Sequence, residues 1–262
     1  MNILLSFDAE EFDVPSEHHT NIPIEEQINV SSSGINIILD CLQQYQIKAT
    51  FFCTVNFIKH APDVLRRMVS DGHEIASHGV FHSQFDITHL KQARDLLEEL
   101  SGQKVTGFRM PRMMPVAEKE IYNAGYVYNS SLNPTFIPGR YMHLNTPRTY
   151  FKKEGVYQIP ASVTPILRFP LFWLSYHHLP ASLYRRLVYG TLKHDGYFTT
   201  YFHPWEFYAL NEHPEYNLPY IIRHNSGVGM EKRLTDFISY FKQKEVSFIT
   251  YSEFVNRIKE KE

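Results

Sequence analysis

Short apolar runs alternate along this chain with segments whose apolar residues recur at helical spacing, and that alternation leaves few folds open. Residues 3–7, 49–55, 74–77, 105–110, 126–130, 197–202 and 246–250 read as strands. Between them, 35–45 carries Ile35, Ile38, Leu39 and Leu42 on one helical face, after a polar cluster of serines at 31–33. Segments 61–70, 88–100, 118–123, 231–242 and 252–259 read as further helices, with Thr88 as an N-cap. Strand–helix alternation of this kind predicts a parallel α/β sheet or barrel.

The stretch 133–179 breaks the rhythm with six prolines and many aromatics, which predicts an elaborated loop region over the active-site face of a barrel. Its Phe169, Phe172, Trp173 and Tyr176 are expected in the core or a subunit interface, with a lid or a surface touching a lipid-linked substrate as the sharper alternative. No Gly- or Ser-rich linker and no internal repeat divides the chain, so one domain is expected over 1–262, a length comfortable for an α/β barrel. A formal charge of −2 provides no basic field for nucleic acid. Cys41 and Cys53 lie in apolar runs without zinc-ligand spacing and read as buried, reduced thiols. The opening MNILLSFD has no basic n-region or cleavage site and reads as a first strand. Residues 166–179 carry Arg168, Pro170, His177 and His178, so they are not a membrane span. The cytoplasm is the expected compartment.

Four signals carry chemistry. His78 and His82 follow a strand-like EIAS; four apart, they would share one side of a helical turn and converge on one cation. Asp8, Glu10 and Glu11 end the first strand, where carboxylates face a barrel mouth and suit hard cations or base catalysis. Arg109 ends another strand in FRMP, and His203 ends a late one in YFHPWE. Each alone has a bland reading: unrelated histidines, a solvated acidic loop, an arginine paired with a nearby carboxylate. Their common placement at strand ends is harder to obtain by chance.

In this order the motifs resemble the polysaccharide deacetylase family, also called NodB-homology or carbohydrate esterase family 4. SFDAEE is similar to its first motif and His78-Gly79-Val80-Phe81-His82 to its second, with Gly79 where a hydroxyl residue is usual. FRMPR is similar to the third and Phe202-His203 to the fifth, and ATFFCTVNFI followed by GHEIASHG resembles the path between the first two. The resemblance covers nearly the whole chain. It implies a deformed (β/α) barrel with about seven parallel strands, and hydrolysis of an N-acetyl group or related amide on a sugar or glycan precursor.

The resemblance also implies one divalent ion, Zn²⁺ foremost and Co²⁺, Ni²⁺ or Mn²⁺ as alternatives, held by His78, His82 and a carboxylate. Asp8 matches the general base, Arg109 the residue that keeps that base ionised and aimed, and His203 the general acid for the leaving amine. Where the family has two adjacent aspartates, Ala9 follows Asp8 here; base-x-ligand spacing makes Glu10 the third ligand, with Glu11 or Asp8 as alternatives. The fourth motif's aspartate is replaced by Asn129, which predicts a less basic His203 than in typical members unless Glu206 takes over part of that role. Trp205, Pro111, Asn129 and Glu206 are the expected substrate-binding residues. A small non-sugar amide or ureide is the alternative substrate, and a catalytically inactive glycan-binding member the alternative of a different class. Relatives that assemble as oligomers make a homo-oligomer an expectation as well.

Overall fold

Asn2–Ala9 (β1) is buried along almost its whole length, as a strand covered on both faces must be. The computed structural model describes residues 1–137 and 141–262. After β1 come Thr50–Cys53 (β2), Glu74–Ser77 (β3), Gly107–Phe108 (β4) and Tyr128–Asn129 (β5). Phe136–Ile137 (β6) and Tyr141–Met142 (β7) pair with each other, and Phe151–Lys153 (β8), Val156–Gln158 (β9), Tyr197–Phe202 (β10) and Ser247–Phe248 (β11) complete the strands. Seven strands in the order β10-β1-β2-β3-β4-β5-β9 are joined by parallel ladders. β11 runs parallel beside the start of β1, and β8 is an antiparallel edge on β9.

This sheet curls without closing strand to strand. Beyond β9 the chain returns to β10 through one irregular contact, in which Ser162 N–H donates to the Thr199 carbonyl at 3.1 Å. Thr199 N–H in turn donates to Ser162 Oγ at 2.9 Å. The architecture is the deformed barrel expected from the motifs.

Alternation along β1 sorts its side chains. Ile3, Leu5 and Phe7 join the large core shared with the helices, while Leu4 joins a second cluster with Phe52, Ala76, Tyr128 and the C-terminal helix Tyr251–Lys259. Ser6 and Asp8 share the face of Leu4, so that face turns polar toward the carboxyl ends of the strands. Registers then fix the neighbours there. Phe7 pairs with Phe202, Asp8 with Phe52, Cys53 with Ser77, and Ser77 with Phe108. His203, His78 and Arg109 each follow one of those residues directly.

The structure corrects several expectations. The first long helix is Ile24–Gln44, beginning well before residue 35. Ser31, Ser32 and Ser33, the polar cluster expected ahead of the helix, lie inside it together with Gly34. Gly34 faces the loop after β10 so closely that a Cβ would lie 1.9 Å from the Pro204 carbonyl oxygen. The strands expected at 105–110, 126–130 and 246–250 shrink to pairs of residues, because a strongly curled sheet holds its ladder only briefly. The proline-rich stretch also supplies β9, a member of the parallel sheet, and the helix Trp173–His178. Phe172, Trp173 and Tyr176 are buried and Phe169 is exposed, so the core reading holds for three of the four. Cys41 and Cys53 are buried and free, and no described helix is long and apolar enough to cross a membrane.

Two glycines test the packing. Gly34→Ala is expected to destabilise by about 1–3 kcal/mol through overpacking against Pro204. Gly190→Ala, in the helix Ala181–Asp195 with open space around it, is expected to stabilise by roughly 0.5–1 kcal/mol. Chemical denaturation of both variants checks the pair; a neutral Gly34→Ala would contradict the close approach.

Candidate metal centre and catalytic site

Three acceptor atoms converge just past the ends of β1 and β3. His78 Nε2 lies 3.1 Å and His82 Nε2 3.2 Å from the same oxygen, Oε2 of Glu10. The histidines do not reach this point on a helical turn, as their spacing suggested. Residues 78–82 are a loop, reversed at Gly79 with φ +83°, a conformation glycine adopts without strain. The residue that departs from the usual H-(S/T)-x-x-H pattern is the one that permits the reversal.

The remaining ring nitrogens are already committed. His78 Nδ1 donates to the Arg109 carbonyl at 2.8 Å, and His82 Nδ1 lies 2.7 Å from Asp13 Oδ1. In their neutral forms both histidines therefore aim an Nε2 lone pair at a carboxylate oxygen. Acceptors facing acceptors in a buried site require a cation between them, and two imidazoles with one carboxylate suit a borderline metal such as zinc. The three ligand atoms lie within 4.8 Å of one another. A proton fills part of that need when no metal is held: burial works against charge on His82, but Glu10 and Asp13 outweigh it and push its pKa up to about 9. The donor set fits a divalent ion.

Glu11, one of the alternative ligands, is occupied elsewhere, accepting from Thr54 Oγ1 at 2.6 Å and Asn56 Nδ2 at 2.5 Å. Asp8 is occupied too, in a buried ion pair with Arg109. Burial raises the Asp8 pKa, but the Arg109 charge, with His78 and His203 nearby, holds it below the usual carboxylate value. Arg109 is itself saturated. Nε donates to the Ser130 carbonyl at 3.1 Å, and Nη2 to Ser6 Oγ at 3.0 Å and Ser130 Oγ at 3.1 Å. Its guanidinium carbon stands 3.9 Å from the centre of the Phe52 ring.

His203 begins a single turn, Pro204–Phe207, started by proline at its first position. The turn brings Glu206 back onto His203, where Oε1 accepts the His203 N–H at 2.6 Å and lies 2.8 Å from Nδ1. Burial lowers the His203 pKa, but Glu206, Glu10 and Asp8 together raise it above the ordinary histidine value. Asn129 takes no part, since its Nδ2 donates to Gln158 and its Oδ1 accepts from Ser131 Oγ. Trp205 stacks on the His203 ring at 4.8 Å and 14°, and its Nε1 reaches Glu10 Oε1 at 3.5 Å.

Asp8, Glu10, His78, His82, His203 and Trp205 all line one cavity of about 310 Å³, at the lower end of small-molecule sites. Arg109 lies beneath its floor. Of the expected substrate contacts only Trp205 borders the cavity; Pro111, Asn129 and Glu206 do not, Glu206 being fully buried behind His203. Arg112 and Asp13 were missed, while Trp173, expected in the core with a lid as the alternative, is buried and also lines the cavity. Asp13 stands beyond the motif residues and was findable only as one more carboxylate near the first strand, whereas Trp173 comes from a segment far away in sequence.

Residues 28–115 match the family described as polysaccharide deacetylase. The chain is 32% identical over 78 residues to a chitooligosaccharide deacetylase of Bradyrhizobium sp. (strain ANU 289), covering 30% of this chain and 35% of that one. It spans about a third of the length of the curated relatives it matches. Among solved structures, a Mycobacterium smegmatis chain assigned as a polysaccharide deacetylase superposes with TM-score 0.72 at 18% identity, covering 99% of this chain and 90% of that one. A PuuE allantoinase superposes with TM-score 0.65 at 16% identity, covering 96% and 88%. At such identities the superpositions establish a shared fold.

The ion pair generates a prediction with a sign. Because Asp8 is held below its unfolded value of about 3.9, its contribution to stability is present above that pH. It is lost as pH falls through the lower folded value. Arg109→Met leaves the carboxylate buried without its cation and is expected to cost about 3–5 kcal/mol at neutral pH. Denaturation curves from pH 7 to 3 should show that the variant's loss relative to wild type narrows on acidification.

Proposed function

We propose that the chain is a metal-dependent hydrolase of the polysaccharide deacetylase type that removes an N-acetyl group from a sugar or glycan precursor, a reading supported by the match of residues 28–115 to that family and by the shared fold. The observation that carries the proposal is the convergence of Glu10, His78 and His82 on one buried point beside two further groups of opposite proton-transfer character. Glu10, His78 and His82 would hold the ion, which would lower the pKa of water to roughly 7 and polarise the substrate carbonyl.

Every other step belongs to side chains. Asp8, kept ionised by Arg109, accepts the proton of the attacking water. His203, kept protonated by Glu206, donates a proton to the departing amine nitrogen so that it leaves as a neutral amine. Holding the base below its ordinary pKa and the acid above it moves both toward their working forms near neutral pH. Trp205 and Trp173 give the cavity an apolar wall beside the polar groups, which suits the mixed polar and apolar surface of a sugar. The chain acts as one domain in this proposal, with a precursor sugar of surface-polysaccharide metabolism as its substrate and the cytoplasm as its compartment.

Elemental analysis tests the metal half. About one Zn²⁺, Co²⁺ or similar ion per chain is expected in the wild type, lost in His78→Ala and Glu10→Ala and retained in Glu11→Gln. No metal even after reloading would sink the hydrolase mechanism and favour an inactive glycan-binding role. With metal present, release of acetate from N-acetyl sugars is expected to fall about 10²–10⁴-fold in His203→Ala. Turnover of small ureides or cyclic amides in place of N-acetyl sugars would transfer the assignment to that substrate class.

A further inference from the structure

The helix Trp173–His178 carries a buried histidine to the back of the site. His177 is fully buried, with Nε2 2.8 Å from Glu206 Oε2 and Nδ1 2.7 Å from the His224 carbonyl oxygen. A carbonyl oxygen only accepts, so Nδ1 donates; an ionised carboxylate only accepts, so Nε2 donates as well. With Nδ1 donating to the carbonyl, the contact between Nε2 and Glu206 Oε2 needs a proton, which ties the two groups together in a charge-assisted hydrogen bond. The other oxygen of Glu206 serves His203 through both its backbone N–H and its Nδ1. One carboxylate with no access to water is thus shared between two imidazoles. Trp173, one helical turn before His177, meets His177 edge-on at 5.8 Å and His203 at 5.4 Å, closing the cluster from the side.

We propose that His177 is a positioning residue for the general acid: it pins Glu206 in the orientation that holds His203 and takes up part of the carboxylate's charge. The proposal rests on the deacetylase reading for the role of His203, while the three-residue chain stands on geometry alone. A carboxylate devoted to His203 would hold that proton tightly, which suits an imidazolium at rest and hinders its release to an amine. Divided between two imidazoles, it still orients His203 and lets go more readily, which favours a general acid near neutral pH. The arrangement also gives a use to Glu206 in HPWE at a site where Asn129 offers no charge. Charged or titratable groups around the chain include Asp8, Glu10 and Tyr201 on the His203 side, and His178, His224 and Arg233 on the His177 side.

The test uses zinc-loaded protein with His177→Gln, which keeps one donor and loses the imidazole, and His177→Phe, which fills the volume and donates nothing. In His177→Gln the NMR titration of the His203 ring and the alkaline limb of kcat/KM against pH are both expected to move up by about 0.5 units or more. Its kcat is expected to fall about 10–100-fold with KM and bound zinc unchanged. His177→Phe should lose more, so that Gln counts as partial rescue. A His203 titration at its wild-type position in His177→Gln, with activity lost only in proportion to folded protein, would overturn the proposal. If wild type releases acetate from no N-acetyl sugar, the proposed activity fails, and the His203 titration still decides this inference.

Discussion

A buried arginine on a short strand is expensive, and the structure around Arg109 is organised to meet that cost. Its charge is matched by Asp8, its other donors are taken by Ser6, Ser130 and Tyr251, and its flat face lies on Phe52. These partners come from β1, β2, the end of β5 and the C-terminal helix, so one guanidinium ties together elements spread over the whole chain. Removing either charge leaves the other buried and alone, which is why such a pair constrains a fold more than it stabilises it. Its functional yield is a carboxylate that stays ionised away from water. The same residue uses its backbone carbonyl to orient His78, linking Asp8 and the Glu10–His78–His82 cluster through one position.

Five buried or nearly buried carboxylates crowd this end of the barrel, and their partners alone distinguish them. Asp8 has a permanent cation. Glu10 faces lone pairs and calls for a cation. Glu11 accepts from Thr54 and Asn56, neutral donors that leave it structural. Asp13 and Glu206 each align an imidazole, that of His82 and that of His203. An identical side-chain chemistry yields four behaviours because, in a low-dielectric interior, the nearest hydrogen-bond partner decides protonation and geometry.

Much of this was legible without coordinates. Alternation of strands and helices announced a parallel α/β architecture, and strand-end placement picked out Asp8, Glu10, His78, His82, Arg109 and His203, all of which meet at one point. Helix boundaries were read less well. The helix was expected to start at 35, after the serines at 31–33, because propensity is local, whereas the close approach to Pro204 that rewards a glycine at 34 is not. The spacing of His78 and His82 suggested a helical turn, but a left-handed glycine achieves the same convergence, and periodicity cannot distinguish the two.

By itself the sequence determined which residues can ionise, donate or ligate, and at which strand ends they stand, because those depend on residue type and on patterns within a few positions. Tertiary structure alone showed where the alternatives to Glu10 go: Glu11 turns to Thr54 and Asn56 and Asp8 to Arg109, while Glu10 faces the histidines. It also decided that the partner of His203 is Glu206 and not Asn129, since the first is folded back by a proline-started turn and the second is claimed by Gln158 and Ser131. His177 shows the limit most plainly. It sits 29 residues from Glu206 in an aromatic stretch without a motif, and only packing of the helix against the loop after β10 brings its ring to the carboxylate.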